Sequence, residues 1–198
     1  MKIIFASGNI DKLNQIKLIL NNIDLVSPKD LGINHFEVIE DGKTLEENAY
    51  KKASAIYEMT KSPVFADDTG LFVDSLNGDP GVYSHRYANE NPSYKENRDK
   101  LLRELQMKVD RRAKFITSIC YIDENGEDHY FKGVLNGTIT NKEIGTYEFG
   151  YDQIFMPDGL DKTLGQMTNE KINEISHRSM AIKEFKKFLE NNYENINN

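Results

Sequence analysis

Apolar residues along this chain follow two spacings, one typical of strands and the other typical of helices. Lys2 to Ala6 forms a short, mostly apolar run that ends at Ser7-Gly8-Asn9, which predicts a first strand followed by a turn. Apolar positions then repeat at helical spacing, with Asn9 as a candidate N-cap and an inward face made of Leu13, Ile16 and Leu20. The first segment therefore predicts a strand, a turn and a helix.

The next segment predicts a longer helix and two short strands. Thr44 and Glu47 have the spacing of a capping box, so a second helix is predicted to start at Thr44. Val64 to Ala66 and Leu71 to Val73 are strand-like runs on either side of Asp67-Asp68-Thr69-Gly70. Because neighbouring strand residues point to opposite faces, one of the two carboxylates is expected to enter a site while the other braces a turn.

The rest of the chain predicts two further helices and a hairpin. Tyr94 to Met107 is predicted to be helical, with Leu101, Leu102 and Leu105 facing inward. Ala113 to Ile122 and His129 to Leu135 are predicted strands joined by a turn at Asn125-Gly126. The last helix is predicted from about Ser179 to Glu190, and its buried stripe is made of Ala181, Phe185, Phe188 and Leu189.

These elements predict an α/β fold built around a mixed β-sheet, because a hairpin must be antiparallel. The chain of 198 residues is expected to be a single domain over 1–198, with a frayed tail from about 191 to 198. Hydrophobic residues are 38% and charged residues 29%, which is typical of a globular protein.

The charge of the chain narrows the possible partners. Its formal net charge is −7, so nucleic acid and anionic membranes are not expected as partners.

Cys120 is the single cysteine, which excludes an intramolecular disulfide and favours a reducing compartment. The N-terminal apolar run is too short for a signal peptide, so a cytoplasmic location is expected.

The first turn is a candidate anion site. Gly8 lets the backbone approach a ligand closely, the helix start presents unpaired N–H groups, and Lys12 adds a positive charge. A tight strand-to-helix turn with a capping Asn9 explains the same residues. On this segment alone, the structural interpretation is favoured over the functional one.

Lys52 and the acidic segment are the second candidate for chemistry. Lys52 and Asn48 share the inward face of the second helix, and a buried ammonium needs anions beside it. Asp67 and Asp68 supply them, and carboxylates suit Mg²⁺. Asp68-Thr69-Gly70 also matches the aspartic protease motif, but such a protease needs a second copy and an all-β pattern, which this sequence lacks.

Two downstream segments could contact a planar ring. Phe149-Gly150-Tyr151-Asp152 combines an aromatic ring, a flexible glycine and a carboxylate. Ser176-His177-Arg178 precedes the last helix, where Arg178 could donate to a carbonyl or a phosphate. Taken alone, each of these segments is more often structural.

Taken together, the motifs resemble the inosine triphosphate pyrophosphatase family, which removes deaminated purine nucleotides. The matching motifs run in order along nearly the whole chain: Ser7-Gly8-Asn9-x-x-Lys12, Asn48-Ala49-x-x-Lys52-Ala53, Ala66-Asp67-Asp68-Thr69-Gly70-Leu71-x-Val73-Asp74, Gly78-x-Pro80-Gly81-Val82-Tyr83-Ser84-x-Arg86-Tyr87-Ala88, Phe149-Gly150-Tyr151-Asp152-x-Ile154-Phe155 and Ile175-Ser176-His177-Arg178. Any one of them could arise by chance, whereas the ordered set is specific.

The resemblance implies a function and a site. It implies hydrolysis of ITP, dITP and XTP to the monophosphate and pyrophosphate, with Mg²⁺, in a homodimer of two-lobed α/β chains whose site lies in the cleft between lobes. Catalytic roles fall on Asp68, Lys52 and Lys12, and the metal would be held by Asp68 and Glu40. Substrate binding falls on Ser7, Gly8, Asn9, Lys12, Thr69, Phe149, Gly150, Tyr151, Asp152, Lys171, His177 and Arg178.

The chain departs from the family pattern at four positions. Gln15 stands where the family usually has Glu, His85 where it has Ala, and Gln153 where it has Pro. The family's substrate-contacting lysine falls on Ile172, and the adjacent Lys171 is the candidate replacement. Two alternatives stay open, namely a related septum-associated nucleotide pyrophosphatase and an inactive nucleotide-binding protein.

Overall fold

The structure, a computed structural model, describes residues 1–34, 36 and 38–193. Helices and strands alternate along this part of the chain. The α-helices are α1 (Ile10–Ile19), α2 (Leu45–Thr60), α3 (Tyr94–Glu104), α4 (Asn169–Ile175) and α5 (His177–Asn192). The strands are β1 (Lys2–Phe5), β2 (Asp24–Val26), β3 (Val64–Val73), β4 (Pro80–Gly81), β5 (Arg112–Ile122), β6 (Asp128–Ile139) and β7 (Phe155–Pro157).

The strands form a seven-stranded sheet in the order β2-β1-β3-β5-β6-β7, and β4 pairs with β3. Strand β1 is parallel to both β2 and β3, with Ile4 opposite Val64. Strand β4 is antiparallel to β3, and β7 is antiparallel to β6. The predicted α/β class with a mixed sheet is therefore confirmed.

Local sequence signals place most elements correctly. The Asn9 side chain caps α1 by accepting from the Lys12 N–H at 3.0 Å. Thr44 caps α2, but Glu47 accepts from the Lys43 N–H and not from Thr44, so the capping box is only half formed. The predicted turn at Asn125-Gly126 is present, with Gly126 at a φ of 82°.

Two boundaries differ from the prediction at the ends of helices. Helix α3 ends at Glu104 and does not reach Met107. Helix α5 starts at His177 and includes residues 191 and 192, which were predicted to be frayed. Of the rest of that predicted tail, residue 193 is described, and 194–198 lie outside the described residues.

The prediction of a turn at Asp67-Asp68-Thr69-Gly70 is wrong. Strand β3 runs through this segment without interruption from Val64 to Val73. Carboxylates are costly inside a buried strand unless donors surround them, and here both side chains have such donors. Neither carboxylate therefore braces a turn.

The described chain divides into two compact units. Unit 1 comprises 1–68, 117–133 and the segment from 178 onward, and unit 2 comprises 69–116 and 134–177. Strands β3, β5 and β6 contribute residues to both. Within the described residues, no helix is long and apolar enough to cross a membrane.

In unit 1, neighbouring strand residues enter two different cores. Phe65 packs in one cluster with residues of α1 and α5, and its ring stacks on Phe5 at 4.9 Å. Val64 and Ala66 pack in the other cluster, together with Ala49 and further residues of α2. Because strand side chains alternate between faces, the next residues continue the pattern. Asp67 falls on the α1 and α5 side, and Asp68 falls on the α2 side.

Candidate active site

The candidate site in unit 1 lies where two parallel strands carry polar residues at their carboxyl ends. The Ala6 N–H donates to the Phe65 carbonyl at 2.8 Å, so the Ser7–Asn9 turn leaves β1 beside the acidic part of β3. In open α/β sheets, ligands bind at such strand ends. Gly8 and Asn9 are exposed, and the turn leads directly into the N-terminus of α1.

Asp67 is the anionic centre of this site. Lys12 Nζ donates to both Asp67 carboxylate oxygens, at 3.1 and 3.0 Å, and Arg178 Nε donates to Oδ2 at 3.4 Å. The Asp67 side chain is only 2% exposed. Its burial opposes ionisation, but the positive charges of Lys12, Arg178 and Lys52 outweigh burial and hold the pKa of Asp67 well below its usual range. Asp67 is therefore a fixed anion.

Asp68 has the opposite electrostatic environment. Asn48 Nδ2 donates to Oδ2 at 3.1 Å, and Lys52 Nζ donates to Oδ1 at 3.3 Å. Burial, together with the negative charges of Glu40 and Asp67, nevertheless raises the pKa of Asp68 above its ordinary value, although Lys52 opposes the change. A carboxylate with a raised pKa is a better proton acceptor than an ordinary one.

The inward orientation predicted for Lys52 is confirmed, and the side chain is 15% exposed. Its ammonium also donates to Glu40 Oε2 at 3.2 Å, so one cation lies against two carboxylates. Burial opposes the charge on Lys52, but Asp68, Asp67 and Glu40 outweigh burial and raise its pKa. The pKa of Lys12 is lowered instead, by burial and by the neighbouring cations Arg178 and Lys52.

Asn48 is a site residue that the sequence placed on the inward face without giving it a role. Its amide oxygen accepts from the Gly42 N–H at 2.8 Å, which fixes the direction of the amide nitrogen that contacts Asp68. A Cβ on Gly42 would lie 2.5 Å from this oxygen, so the contact requires a glycine. The signal in the sequence was an amide on an otherwise apolar helix face.

Taken together, three acidic and three basic side chains meet in unit 1. They are Asp67, Asp68 and Glu40, and Lys12, Lys52 and Arg178. Their formal charges cancel, so an incoming polyanion would need additional positive charge. The Asp68 and Glu40 oxygens, which share Lys52, are hard donors of the kind that Mg²⁺ prefers. The residues present therefore fit a divalent cation.

Unit 2 contains the predicted ring-binding segment. The half-buried ring of Phe149 lies 5.3 Å from the ring of Tyr94 and 6.4 Å from that of Tyr147. Tyr151 is buried and donates its hydroxyl to the Ser84 carbonyl at 2.6 Å. Asp152 is buried, and Thr69 is half-buried in β3. The segment thus combines aromatic rings with a buried carboxylate.

Three predicted substrate contacts have partners within the protein. The His177 ring stacks on Phe115 at 4.7 Å. Arg178, predicted to donate to a carbonyl or a phosphate of the substrate, donates to Asp67 and to Gln15 Oε1 at 3.3 Å. Lys171 is exposed and pairs with Glu174 at 2.9 Å, while Ile172 is buried. Their roles toward a substrate stay predictions.

A second acidic group lies elsewhere in unit 1. Asp123, Glu127 and His129 meet at the turn between β5 and β6. Their side chains are close enough to one another to share a metal ion. The Asp123 carboxylate already accepts from the N–H groups of Asn125 and Glu127, at 2.8 and 3.0 Å. This group therefore stabilises the turn.

Comparison with known proteins identifies relatives over nearly the whole chain. The Ham1 family model matches residues 3–188. A Staphylococcus aureus protein named dITP/XTP pyrophosphatase is 42% identical over 189 residues, which covers 96% of each chain. A Flavobacterium psychrophilum protein of the same name is 41% identical over 192 residues, covering 96% of this chain and 100% of the relative.

Solved structures give the same result. The Staphylococcus aureus Ham1 protein superposes with a TM-score of 0.90 at 41% identity, covering 96% of this chain and 99% of the other. A HAM1 protein from Coxiella burnetii also has a TM-score of 0.90, at 32% identity and the same coverage. These comparisons agree with the resemblance found in the ordered motifs.

Proposed function

Because the chain belongs to the Ham1 family, we propose that it hydrolyses deaminated purine nucleoside triphosphates to the monophosphate and pyrophosphate. The substrates would be dITP and XTP, as the names of its relatives indicate, together with ITP. The observation that carries the proposal is the environment of Asp68, whose pKa is raised and whose carboxylate shares Lys52 with a second acid, Glu40.

Asp68 would accept the proton of the attacking water. Its hydrogen bond from Asn48 and its ion pair with Lys52 hold the carboxylate in a fixed direction. Attack at the phosphorus nearest the ribose gives a monophosphate and pyrophosphate, whereas attack at the terminal phosphorus gives orthophosphate. General base catalysis of this kind contributes about 10²- to 10⁴-fold in rate.

Lys12 and Lys52 would bind the phosphates, together with Ser7, Gly8, Asn9 and Thr69. Asp67 keeps Lys12 in position, because it accepts two hydrogen bonds from that ammonium. Phe149 and the three residues after it would contact the base. The hydroxyl of Tyr151 is already held by Ser84, so this side chain contributes mainly to the shape of the segment.

Mg²⁺ is proposed as the metal, held by Asp68 and Glu40. When bound, the ion would neutralise negative charge on the triphosphate and on the departing pyrophosphate. This proposal is supported by the charge balance of the six side chains of the site, in which three acidic and three basic groups already cancel. A homodimer, a cytoplasmic location and a site in a cleft between lobes stay predictions.

The direct test is release of pyrophosphate from dITP, XTP and dATP, measured with and without Mg²⁺. We expect release from dITP and XTP to exceed release from dATP, and to depend on the metal. The Asp68→Asn variant should lose at least about 10²-fold in rate. Orthophosphate as the product, or a variant as fast as the parent, would contradict the proposal.

A further inference from the structure

A buried arginine in unit 2 holds the backbone on both sides of Phe149. Arg98 lies on α3 and is 2% exposed. Its Nη1 donates to the carbonyl of Glu148 at 3.2 Å and to the carbonyl of Gly150 at 2.8 Å. These two carbonyls flank Phe149, so a single guanidinium fixes the course of the chain through the predicted base-binding segment.

The charge of Arg98 is balanced by Glu143. Arg98 Nε donates to Glu143 Oε1 at 2.6 Å, and the Glu143 side chain is 28% exposed. A buried guanidinium without a carboxylate would be costly, so the ion pair offsets the burial of Arg98 and directs its remaining donors toward the two carbonyls. Lysine could not replace it fully, because an ammonium lacks the planar fork of donors.

The same face of α3 also contacts the Phe149 ring. Tyr94 lies four residues before Arg98, and residues at this spacing share one face of a helix. The Tyr94 ring packs at 5.3 Å from the Phe149 ring with an interplanar angle of 58°. Helix α3 therefore determines both the position of the Phe149 ring and the path of its backbone.

The direction of the two carbonyls has a consequence for the donors of the segment. In a trans peptide the C=O and the following N–H point in opposite directions. With the carbonyls of Glu148 and Gly150 directed at Arg98, the N–H groups of Phe149 and Tyr151 point away from it. The arginine thus orients two backbone donors beside an aromatic ring.

We propose that Arg98, paired with Glu143, is a positioning residue that sets base selectivity by fixing the Phe149 ring and the N–H groups of Phe149 and Tyr151. This inference rests on the proposed function. Deaminated purines carry a carbonyl where adenine carries an amino group. An oriented N–H group can donate to the carbonyl of a deaminated purine. Beside the amino group of adenine the same N–H is left unpaired, which is costly.

The test compares Arg98→Lys with the matched control Lys95→Met. Lys95 lies on the same helix and its ammonium is 3.9 Å from Glu143, but it is exposed and contacts neither carbonyl. For Arg98→Lys we expect the ratio of kcat/KM for dITP to that for dATP to fall about 10-fold, which corresponds to about 1.4 kcal/mol. The change should appear mainly in KM, and Lys95→Met should keep the parent ratio.

A readout that ignores the base separates positioning from general loss of structure. Tripolyphosphate is the probe, and its inhibition constant should be the same for Arg98→Lys and the parent. An unchanged dITP to dATP ratio, or an equal loss of tripolyphosphate affinity, would overturn the proposal. If Arg98→Lys does not fold, Glu143→Gln replaces it and should lower the ratio in the same direction by a smaller factor.

Failure of the proposed function would look different. A parent protein that releases no pyrophosphate from dITP would refute the activity, whatever Arg98 does. The role of Arg98 would then be decided by calorimetry with dIMP and dAMP. Weaker discrimination by Arg98→Lys than by the parent would support positioning, and equal discrimination would refute it.

Discussion

Asp67 and Asp68 are neighbours in one strand, and the same substitution should lower stability at Asp67 but not at Asp68. Asp67→Asn removes a carboxylate that is 2% exposed and leaves Lys12 and Arg178 facing each other. Breaking a buried ion pair costs about 3–5 kcal/mol. Because the Lys12 side chain is 20% exposed, water recovers part of this cost, and we expect a loss of about 3 kcal/mol.

Asp68→Asn should leave the free energy of unfolding unchanged or increase it. The pKa of Asp68 is raised in the folded protein, chiefly by burial, so its charged form is less favourable there than in the unfolded chain. A neutral amide of the same shape removes this penalty, and Lys52 keeps Glu40 as a carboxylate partner. The variant that abolishes the proposed chemistry should therefore fold at least as well as the parent, as is common when a site is strained for function.

The assay is urea unfolding at neutral pH, with thermal unfolding as a second measurement. For a chain of this size about 1 kcal/mol changes Tm by about 2–4 °C, so Asp67→Asn should melt about 6–12 °C lower. Adding Lys12→Met to Asp67→Asn should restore part of the loss, because the unpaired cation is removed as well. Equal destabilisation by the two Asn substitutions would refute this reasoning.

The pKa of Asp67 is lowered in the folded protein, so its carboxylate stabilises the fold fully above the unfolded pKa of about 3.9. This stabilisation is lost as the pH falls below that value. In urea unfolding, the difference in free energy of unfolding between the parent and Asp67→Asn should therefore shrink in acid. Gly42→Ala should lower kcat for pyrophosphate release by displacing Asn48, because the added Cβ would lie 2.5 Å from the Asn48 amide oxygen. Lys52→Met should weaken the binding of all nucleoside triphosphates alike and leave the ratio of kcat/KM for dITP to that for dATP unchanged. A changed ratio in the pyrophosphate-release assay would argue against the proposed role of Lys52 in phosphate binding. Gly126→Ala should destabilise the protein by about 1 kcal/mol in urea unfolding, because its φ is 82° and the new Cβ would approach the Tyr57 hydroxyl to 3.0 Å.

Sequence patterns predicted those parts of the fold that depend on neighbouring residues. The Asn9 cap, the turn at Gly126 and the inward Lys52 each follow from spacings of a few residues, and each is present. Strand β3 could not be predicted in the same way. Asp67 is tolerated there because Lys12 and Arg178 reach it from helices distant in the sequence, and Asp68 because Lys52 of α2 reaches it. Local preference for a turn is overridden by those long-range ion pairs.

Arg98 occupies a position that the spacing of apolar residues on α3 predicts to be buried. It lies three residues before Leu101 and seven before Leu105, on the buried stripe of α3. Like Lys52 on α2, it is a charged residue at an inward-facing helical position. Its partners are the main-chain carbonyls of Glu148 and Gly150, and no pattern of side chains in the sequence predicts these contacts.

The order in which the chain is synthesised has a consequence for unit 1. Its core includes Phe5 and Phe65 from the first third of the chain, but Phe185 lies on α5, near the end. During synthesis, the aromatic rings of β1 and β3 lack their packing partner on α5 until that helix has left the ribosomal exit tunnel. Chains that stop before α5 therefore expose an apolar sheet face, which makes them targets for chaperones and proteases during translation.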